Sequence, residues 1–137
     1  TNEVMSKFKL GDHTSTFGGN PLSCAAGSAA IQFLLDHELH KKAEKIGAYM
    51  KDGLQSLNKN HKVTREVRGL GLMLALDLRF DVRQIILSGL KKGIILLYSG
   101  RNILRFLPPL VITEDEVDHG LSILDGILTE EDRTRFG

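Results

Sequence analysis

Hydrophobic residues follow two different periods along this chain, and the period changes near residue 60. Before that point apolar positions recur every three or four residues, which is the period of an α-helix. A first helix is predicted from Pro21 to about His37, because Asn20 is a good N-cap and proline is favoured at the first helical position. A second helix is predicted over residues 39–57. Its apolar stripe consists of Leu39, Ala43, Ile46, Met50, Leu54 and Leu57.

One face of the first helix is made of small and apolar residues, so we expect this helix to pack closely against another element. The face consists of Ala26, Ala29, Ala30, Phe33 and Leu34, and Cys24 is predicted to be a packing residue of the same helix. Gly27 supports the expectation, because glycine weakens a helix by about 1 kcal/mol relative to alanine and close approach would explain its presence.

After residue 60 the pattern changes to short alternating runs. Residues 63–67 and 72–78 are predicted to be strands around a turn at residues 68–71, in which Gly69 and Gly71 are interpreted as turn glycines. Residues 94–98 and 103–107 are predicted to be two more strands. A turn at residues 99–102 joins them, and Pro108 and Pro109 end the second one.

Two further helices are predicted from capping sequences. Residues 81–84 resemble a capping box that opens a helix, and Lys91, Lys92 and Gly93 close it. Its inward residues are predicted to be Val82, Ile85, Ile86 and Leu90. Residues 113–116 form a second capping box, and the helix after it is predicted to bury Val117, Leu121, Leu124 and Leu128. The charged tail from Thr129 onward is expected to fray.

Taken together, these elements predict the α/β class, with helices on one face of a mostly antiparallel sheet. Residues 1–20 do not fit that layer and are interpreted as a strip of another domain. Residues 21–58 are predicted to be linking helices, and residues 59–137 are predicted to form a C-terminal small domain.

Composition excludes several classes of function. The 18 basic and 17 acidic residues nearly cancel and form no basic stripe, which argues against a nucleic-acid partner. Cys24 is the single cysteine, so an intrachain disulfide is excluded. Neither a signal peptide nor an apolar stretch of the roughly 20 residues that span a bilayer is present in the sequence. We therefore expect a soluble, cytoplasmic protein that does not bind membranes.

The histidines show no spacing typical of metal ligands, and no metal site is predicted. They are interpreted as helix-surface groups. They are His13, His37, His40, His61 and His119.

The run Ser15-Thr16-Phe17-Gly18-Gly19-Asn20-Pro21 has the features that anion binding requires. Glycine lets backbone N–H groups approach a ligand, hydroxyl groups donate hydrogen bonds, and a helix N-terminus favours negative charge. The alternative is a polar loop that merely carries the N-cap of the following helix. Composition alone leaves both interpretations open.

Arg105 is the second unusual residue, since it lies inside the apolar run at residues 103–107. Strand alternation places it on the face opposite Leu104 and Phe106. A guanidinium there must be paired or face a wet cleft, and its planar fork suits a carboxylate held by two hydrogen bonds. An ordinary ion pair, or an arginine on the exposed face of a half-buried strand, remains the alternative.

Three segments in order resemble the class III aminotransferases. Residues 14–22 with Cys24-Ala25-Ala26 resemble the segment that follows the cofactor lysine in that family. Residues 68–73 resemble the family's first small-domain turn, and residues 103–110 resemble its late substrate-binding strand. The resemblance extends over nearly the whole chain, from about Gly11 to Leu128.

The resemblance implies a homodimeric fold-type-I enzyme that uses pyridoxal 5'-phosphate, with residues 1–20 as a remnant of its large cofactor-binding domain. It implies that Thr16, with Ser15 beside it, contacts the phosphate of the partner subunit's cofactor. It also implies that Arg105 binds the α-carboxylate of the amino-acid substrate. The acetylornithine/ornithine branch fits best, which implies transfer of a terminal amino group to 2-oxoglutarate in arginine or lysine biosynthesis.

The chain departs from the family at two positions. No lysine here matches the Schiff-base lysine, because Lys7 and Lys9 precede the Ser-Thr motif too closely and the others lie on charged helix faces or turns. Thr14 stands where relatives commonly have glycine, and a positive φ there would strain it. We therefore expect this chain alone to be inactive and not to hold the cofactor. The alternative is a truncated, non-catalytic module that associates with another chain.

Overall fold

The structure of the protein is a computed structural model, and it describes residues 1–9 and 11–137. The described chain divides into two compact units, Thr1–His37 and Glu38–Gly137. The helices are α1 (Asn2–Met5), α2 (Pro21–Asp36), α3 (Leu39–Asn60), α4 (Arg83–Lys91) and α5 (Glu114–Phe136). The strands are β1 (Thr64–Leu70), β2 (Met73–Leu78), β3 (Leu97–Tyr98) and β4 (Ile103–Phe106). No described helix has the length and apolar character needed to cross a membrane.

In the first unit, α2 begins where the sequence predicted. Asn20 is the N-cap, and its side-chain oxygen accepts hydrogen bonds from the N–H groups of Leu22 and Ser23. The prediction of close packing is not met within the described chain, because no residue of α2 is buried. Cys24 is exposed, so its interpretation as a packing residue is wrong for this structure.

The second unit is a four-stranded sheet with helices on one face, which confirms the predicted fold class. Its strand order is β1-β2-β4-β3, and every neighbouring pair is antiparallel. Alternation along β2 and β4 buries one face and leaves the other open. The core combines that buried face with inward residues of α3, α4 and α5. Its fully buried members include Leu54, Leu74, Leu76, Leu78, Ile85, Leu104, Leu124, Ile127 and Leu128.

The hairpin between β1 and β2 is tighter than the sequence predicted. Leu70 pairs with Met73, so the turn consists of Gly71 and Leu72 rather than of residues 68–71. Gly71 has a φ of 54°, a conformation that glycine adopts without strain. Gly69, interpreted as a turn glycine, lies inside β1 opposite Leu74. The strand therefore continues past the predicted end, which places Arg68 on the sheet.

The α4 segment corrects two predictions. Gln84 closes no capping box; instead Asp81 accepts a hydrogen bond of 3.0 Å from the backbone N–H of Arg83. The Arg83 side chain, which also donates to Asp81, lowers the pKa of that carboxyl together with this backbone hydrogen bond. Leu90 is 62% exposed, and Gly89 takes the buried position beside it.

The capping box of α5 forms as predicted. The Thr113 hydroxyl oxygen accepts from the Glu116 N–H at 3.3 Å, and the Glu116 carboxylate accepts from the Thr113 N–H at 2.9 Å. The hydrogen bond from the Thr113 backbone is the main reason that the pKa of Glu116 lies below its ordinary value. The box therefore fixes the start of a helix that buries Val117, Leu124 and Leu128.

The predicted fraying after Thr129 is wrong, because α5 continues to Phe136. Three side chains of this last part make long-range contacts. Asp132 lies 2.8 Å from the His61 ring, Lys92 donates to Glu130 at 2.7 Å, and the Arg135 guanidinium lies 3.4 Å from the centre of the Phe80 ring. The charged tail is thus part of the packed unit.

Candidate functional site

The loop before α2 is folded around its two glycines. The Asn20 N–H donates to the Phe17 carbonyl oxygen at 3.2 Å, which closes a four-residue turn. Gly19, at the third position of that turn, has a φ of 75°, as type II turns require. The Ser15 hydroxyl oxygen accepts from the Gly18 N–H at 2.9 Å. A Cβ at Gly18 would lie 2.9 Å from Ser15 Cβ, so a side chain at this position would disturb the loop.

This geometry determines which groups could hold an anion. The Leu22 and Ser23 N–H groups are taken up by Asn20, so the first turn of α2 does not present them to a ligand. Thr16 is exposed, and its hydroxyl has no hydrogen-bond partner in the described part of the chain. The Ser15 oxygen acts as an acceptor toward Gly18, which leaves its own proton free to be donated. Two hydroxyl donors beside a pair of glycines are groups suited to a phosphate.

Thr14 is not strained in this loop. Among the described residues other than glycine, only Glu38 has a positive φ. The possible conflict between Thr14 and a left-handed backbone therefore does not arise here.

Arg105 lies in the second unit, on the open face of the sheet. Its neighbours Leu104 and Phe106 are buried and Arg105 is exposed, so the predicted alternation is confirmed. It pairs with Ala75 on β2 and with Leu97 on β3. Within the described ranges, no carboxylate lies within 4.0 Å of its guanidinium. Arg105 therefore presents an uncompensated positive charge on this face.

A shallow groove of about 380 Å³ runs beside Arg105 on the same face. Arg68 and Met73 line it, with Ser99 and Ile103 at its other side. The sequence did not single out Arg68, because it was assigned to a turn. The alternation of leucines at residues 72–78 predicts which face of β2 is buried, but the partner of Arg68 also depends on where the hairpin turns.

His61 was predicted to be a helix-surface group, and that prediction is wrong. Its side chain is only 7% exposed. Its Nε2 lies 2.7 Å from Asp125 and its Nδ1 lies 2.8 Å from Asp132, both on α5. Asp132 also accepts from the Val63 N–H at 3.0 Å. This cluster ties the end of α3 and the start of β1 to α5, which is a structural arrangement.

Comparison with known proteins shows which family the chain resembles. Residues 1–128 match the family model described as aminotransferase class-III. An acetylornithine aminotransferase of Caldanaerobacter subterraneus is 46% identical over 129 residues, which cover 93% of this chain and 33% of that protein. The chain thus spans about a third of the length of this curated relative.

Solved structures give the same result. The ornithine δ-aminotransferase of Plasmodium falciparum superposes with a TM-score of 0.88 at 34% identity, over 98% of this chain and 36% of that one. The ornithine aminotransferase of Toxoplasma gondii superposes with a TM-score of 0.83 at 33% identity, over 97% of this chain and 33% of that one. The latter structure shows partial occupancy of PLP, pyridoxal 5'-phosphate, at its active site.

Proposed function

Because this chain belongs to the class III aminotransferase family, we propose that it is the C-terminal portion of an enzyme acting on ornithine- or lysine-like donors. The enzyme moves the donor's terminal amino group, from a free or N-acylated substrate, to 2-oxoglutarate, as a step of arginine or lysine biosynthesis in the cytoplasm. The names of the relatives support this choice of branch. The remaining two thirds of the relatives' length supports the view that further residues complete the site.

The observation that carries the proposal is the unpaired charge of Arg105. An arginine on an open sheet face with no carboxylate within 4.0 Å in the described chain is available to a ligand. Its two parallel N–H groups match the two oxygens of a carboxylate, which fixes the orientation of the bound acid. Amino-acid donors and 2-oxo acids both carry this group. Arg105 is therefore proposed to bind the α-carboxylate of the amino-acid substrate, and a carboxylate of 2-oxoglutarate in the second half-reaction.

Class III aminotransferases depend on pyridoxal 5'-phosphate, which when bound accepts the amino group from the donor and passes it to the 2-oxo acid. The loop that contains Ser15 and Thr16 fits the phosphate of this group. Thr16 offers a free hydroxyl, and Ser15 offers the proton that it does not use toward Gly18. In a homodimer these hydroxyls are proposed to reach the phosphate held by the partner subunit, which ties retention of the cofactor to assembly.

The chain by itself is proposed to be catalytically inert, because none of its lysines matches the lysine that holds the cofactor in this family. Incubation of the purified chain with pyridoxal 5'-phosphate, then borohydride, tests this point. We expect scattered, substoichiometric labelling of exposed lysines in peptide mass spectra. Stoichiometric labelling of one lysine would contradict the proposal, and denatured chain provides the control for random labelling.

Replacing Thr16 with alanine in the complete enzyme is expected to weaken cofactor retention about tenfold, since one hydrogen bond to a charged phosphate is lost. The measurement is the dissociation constant of pyridoxal 5'-phosphate, from absorbance after dialysis. Thr14→Ala is the matched control, because it removes a neighbouring hydroxyl from the same loop. Equal cofactor affinity in Thr16→Ala and wild type would count against the phosphate role.

A second candidate is a non-catalytic module that associates with another chain. The observation in its favour is the apolar surface of α2, where Leu22 is 80% and Ile31 is 63% exposed. Exposed apolar surface of this kind favours association. Intact mass spectrometry of the polypeptide in its source separates the two candidates. A mass equal to that of this chain supports the module, and a mass near three times larger supports the enzyme.

A further inference from the structure

Three residues form a row across the open face of the sheet. Ala75 on β2 pairs with Arg68 on β1 and with Arg105 on β4. Directly opposite residues of antiparallel strands point to the same face, and adjacent strands lie about 4.8 Å apart. The Cα atoms of the two arginines are therefore about 10 Å apart. The small side chain of Ala75 leaves the groove between them open.

One acidic residue lies diagonally to both arginines. Asp77 follows Ala75 by two positions on β2, so it lies on the same face. Diagonal neighbours lie about 7–8 Å apart, a distance that long side chains span. Asp77 Oδ2 lies 3.8 Å from Arg68 Nη1, whereas no described carboxylate lies within 4.0 Å of Arg105. Asp77 thus interacts with one arginine of the row and leaves the other free.

Three other arginines lie near Asp77 but form no ion pair with it in the described part of the chain. A second cavity beside Asp77 is lined by Arg65, Arg79 and Arg101. In the described part of the chain, none of the three forms an ion pair with Asp77 within 4.0 Å. Arg101 instead lies 3.9 Å from Asp81, and Arg79 donates to the Lys62 carbonyl oxygen. Among the described residues, Arg68 is therefore the cation that lies within 4.0 Å of the Asp77 carboxylate.

We infer that Arg68 is a positioning residue, which holds Asp77 so that it does not neutralise Arg105. The inference rests on the proposed role of Arg105 as the ligand of the substrate carboxylate. A carboxylate beside Arg105 would offset its charge and compete with the substrate for the same N–H groups. Arg68 prevents this by attracting Asp77 to the β1 side of the row. Glu66 also lies on that side, and its carboxylate is 3.2 Å from Arg68 Nη1.

Steady-state kinetics of the complete enzyme test the inference through a set of charge variants. Arg68→Gln is expected to raise KM for the amino donor and for 2-oxoglutarate about fivefold, which corresponds to about 1 kcal/mol, with kcat unchanged. Arg68→Lys keeps the charge and should stay close to wild type. The double variant Arg68→Gln with Asp77→Asn should regain the wild-type KM, because the competing charge is gone. Arg133→Gln, an exposed arginine on α5, is the matched control.

A crystal structure of Arg68→Gln gives a second readout, in which we expect the Asp77 carboxylate within 4 Å of the Arg105 guanidinium. An unchanged KM in Arg68→Gln, or a double variant as impaired as Arg68→Gln, overturns the inference, since a merely structural role would not be rescued by Asp77→Asn. The variant Arg105→Ala distinguishes failure of the proposed function from failure of the role inferred for Arg68. If it leaves KM unchanged, the proposed function fails. If it raises KM while Arg68→Gln is silent, only the role of Arg68 fails.

Discussion

Replacing Arg105 with alanine in the complete enzyme is expected to raise KM for the amino donor and for 2-oxoglutarate by about ten- to a hundredfold. Hydrogen bonds to charged groups are each worth about 1.5–3 kcal/mol, and each 1.4 kcal/mol is a factor of ten. The effect should fall on both half-reactions, because in the proposed role the same guanidinium binds a carboxylate of the donor and a carboxylate of 2-oxoglutarate. Measurement of kcat and KM for each substrate at saturating cofactor checks this expectation.

Two controls make the result specific to the guanidinium fork. Arg105→Lys keeps the charge but loses the two parallel N–H groups, so an intermediate KM is expected. Arg133→Ala removes an exposed arginine from α5 and should leave KM unchanged. A wild-type KM for both substrates in Arg105→Ala would remove this residue from the site, and with it the main support for the proposed function.

The placement of Arg105 could be predicted from the sequence because it depends on one local period. An alternating strand puts residue 105 opposite its two apolar neighbours whatever the rest of the fold does. The placement of Arg68 could not be predicted in the same way. It depends on where the hairpin turns, and both Gly69 and Gly71 were candidates for that turn. Only the pairing of Leu70 with Met73 settles the register and brings Arg68 opposite Ala75.

Local capping chemistry was equally predictable, and long-range pairing was not. The Asn20 cap and the Thr113 capping box involve residues two or three positions apart. The His61 cluster joins residues separated by 64 and 71 positions, so no sequence window contains it. The wrong prediction of fraying after Thr129 has the same cause. Its charges resemble those of a solvated end, yet Asp132 and Arg135 have partners far away in the chain.

Replacing Gly47 with alanine is expected to lower the free energy of unfolding of the second unit by about 2–3 kcal/mol. Gly47 is a buried residue of α3, and a Cβ at this position would overlap the carbonyl group of Gly71 in the hairpin turn. The obstacle is backbone on both sides, so relief requires α3 and the hairpin to move apart. That movement would loosen the packing of α3 on β1 and β2, the strands that carry Arg68 and Ala75.

Gly126→Ala is the matched control, because it makes the same substitution in a helix of the same unit. A Cβ at Gly126 in α5 meets nothing within 4 Å, so only the helix propensity changes, and the free energy of unfolding should rise by up to about 1 kcal/mol. Chemical denaturation of both variants measures the two effects against wild type. Opposite signs are expected for one chemical change, since the contact at Gly47 outweighs the propensity that both alanines gain. A stabilised Gly47→Ala would show that α3 and the Gly71 turn are not in the close contact described here.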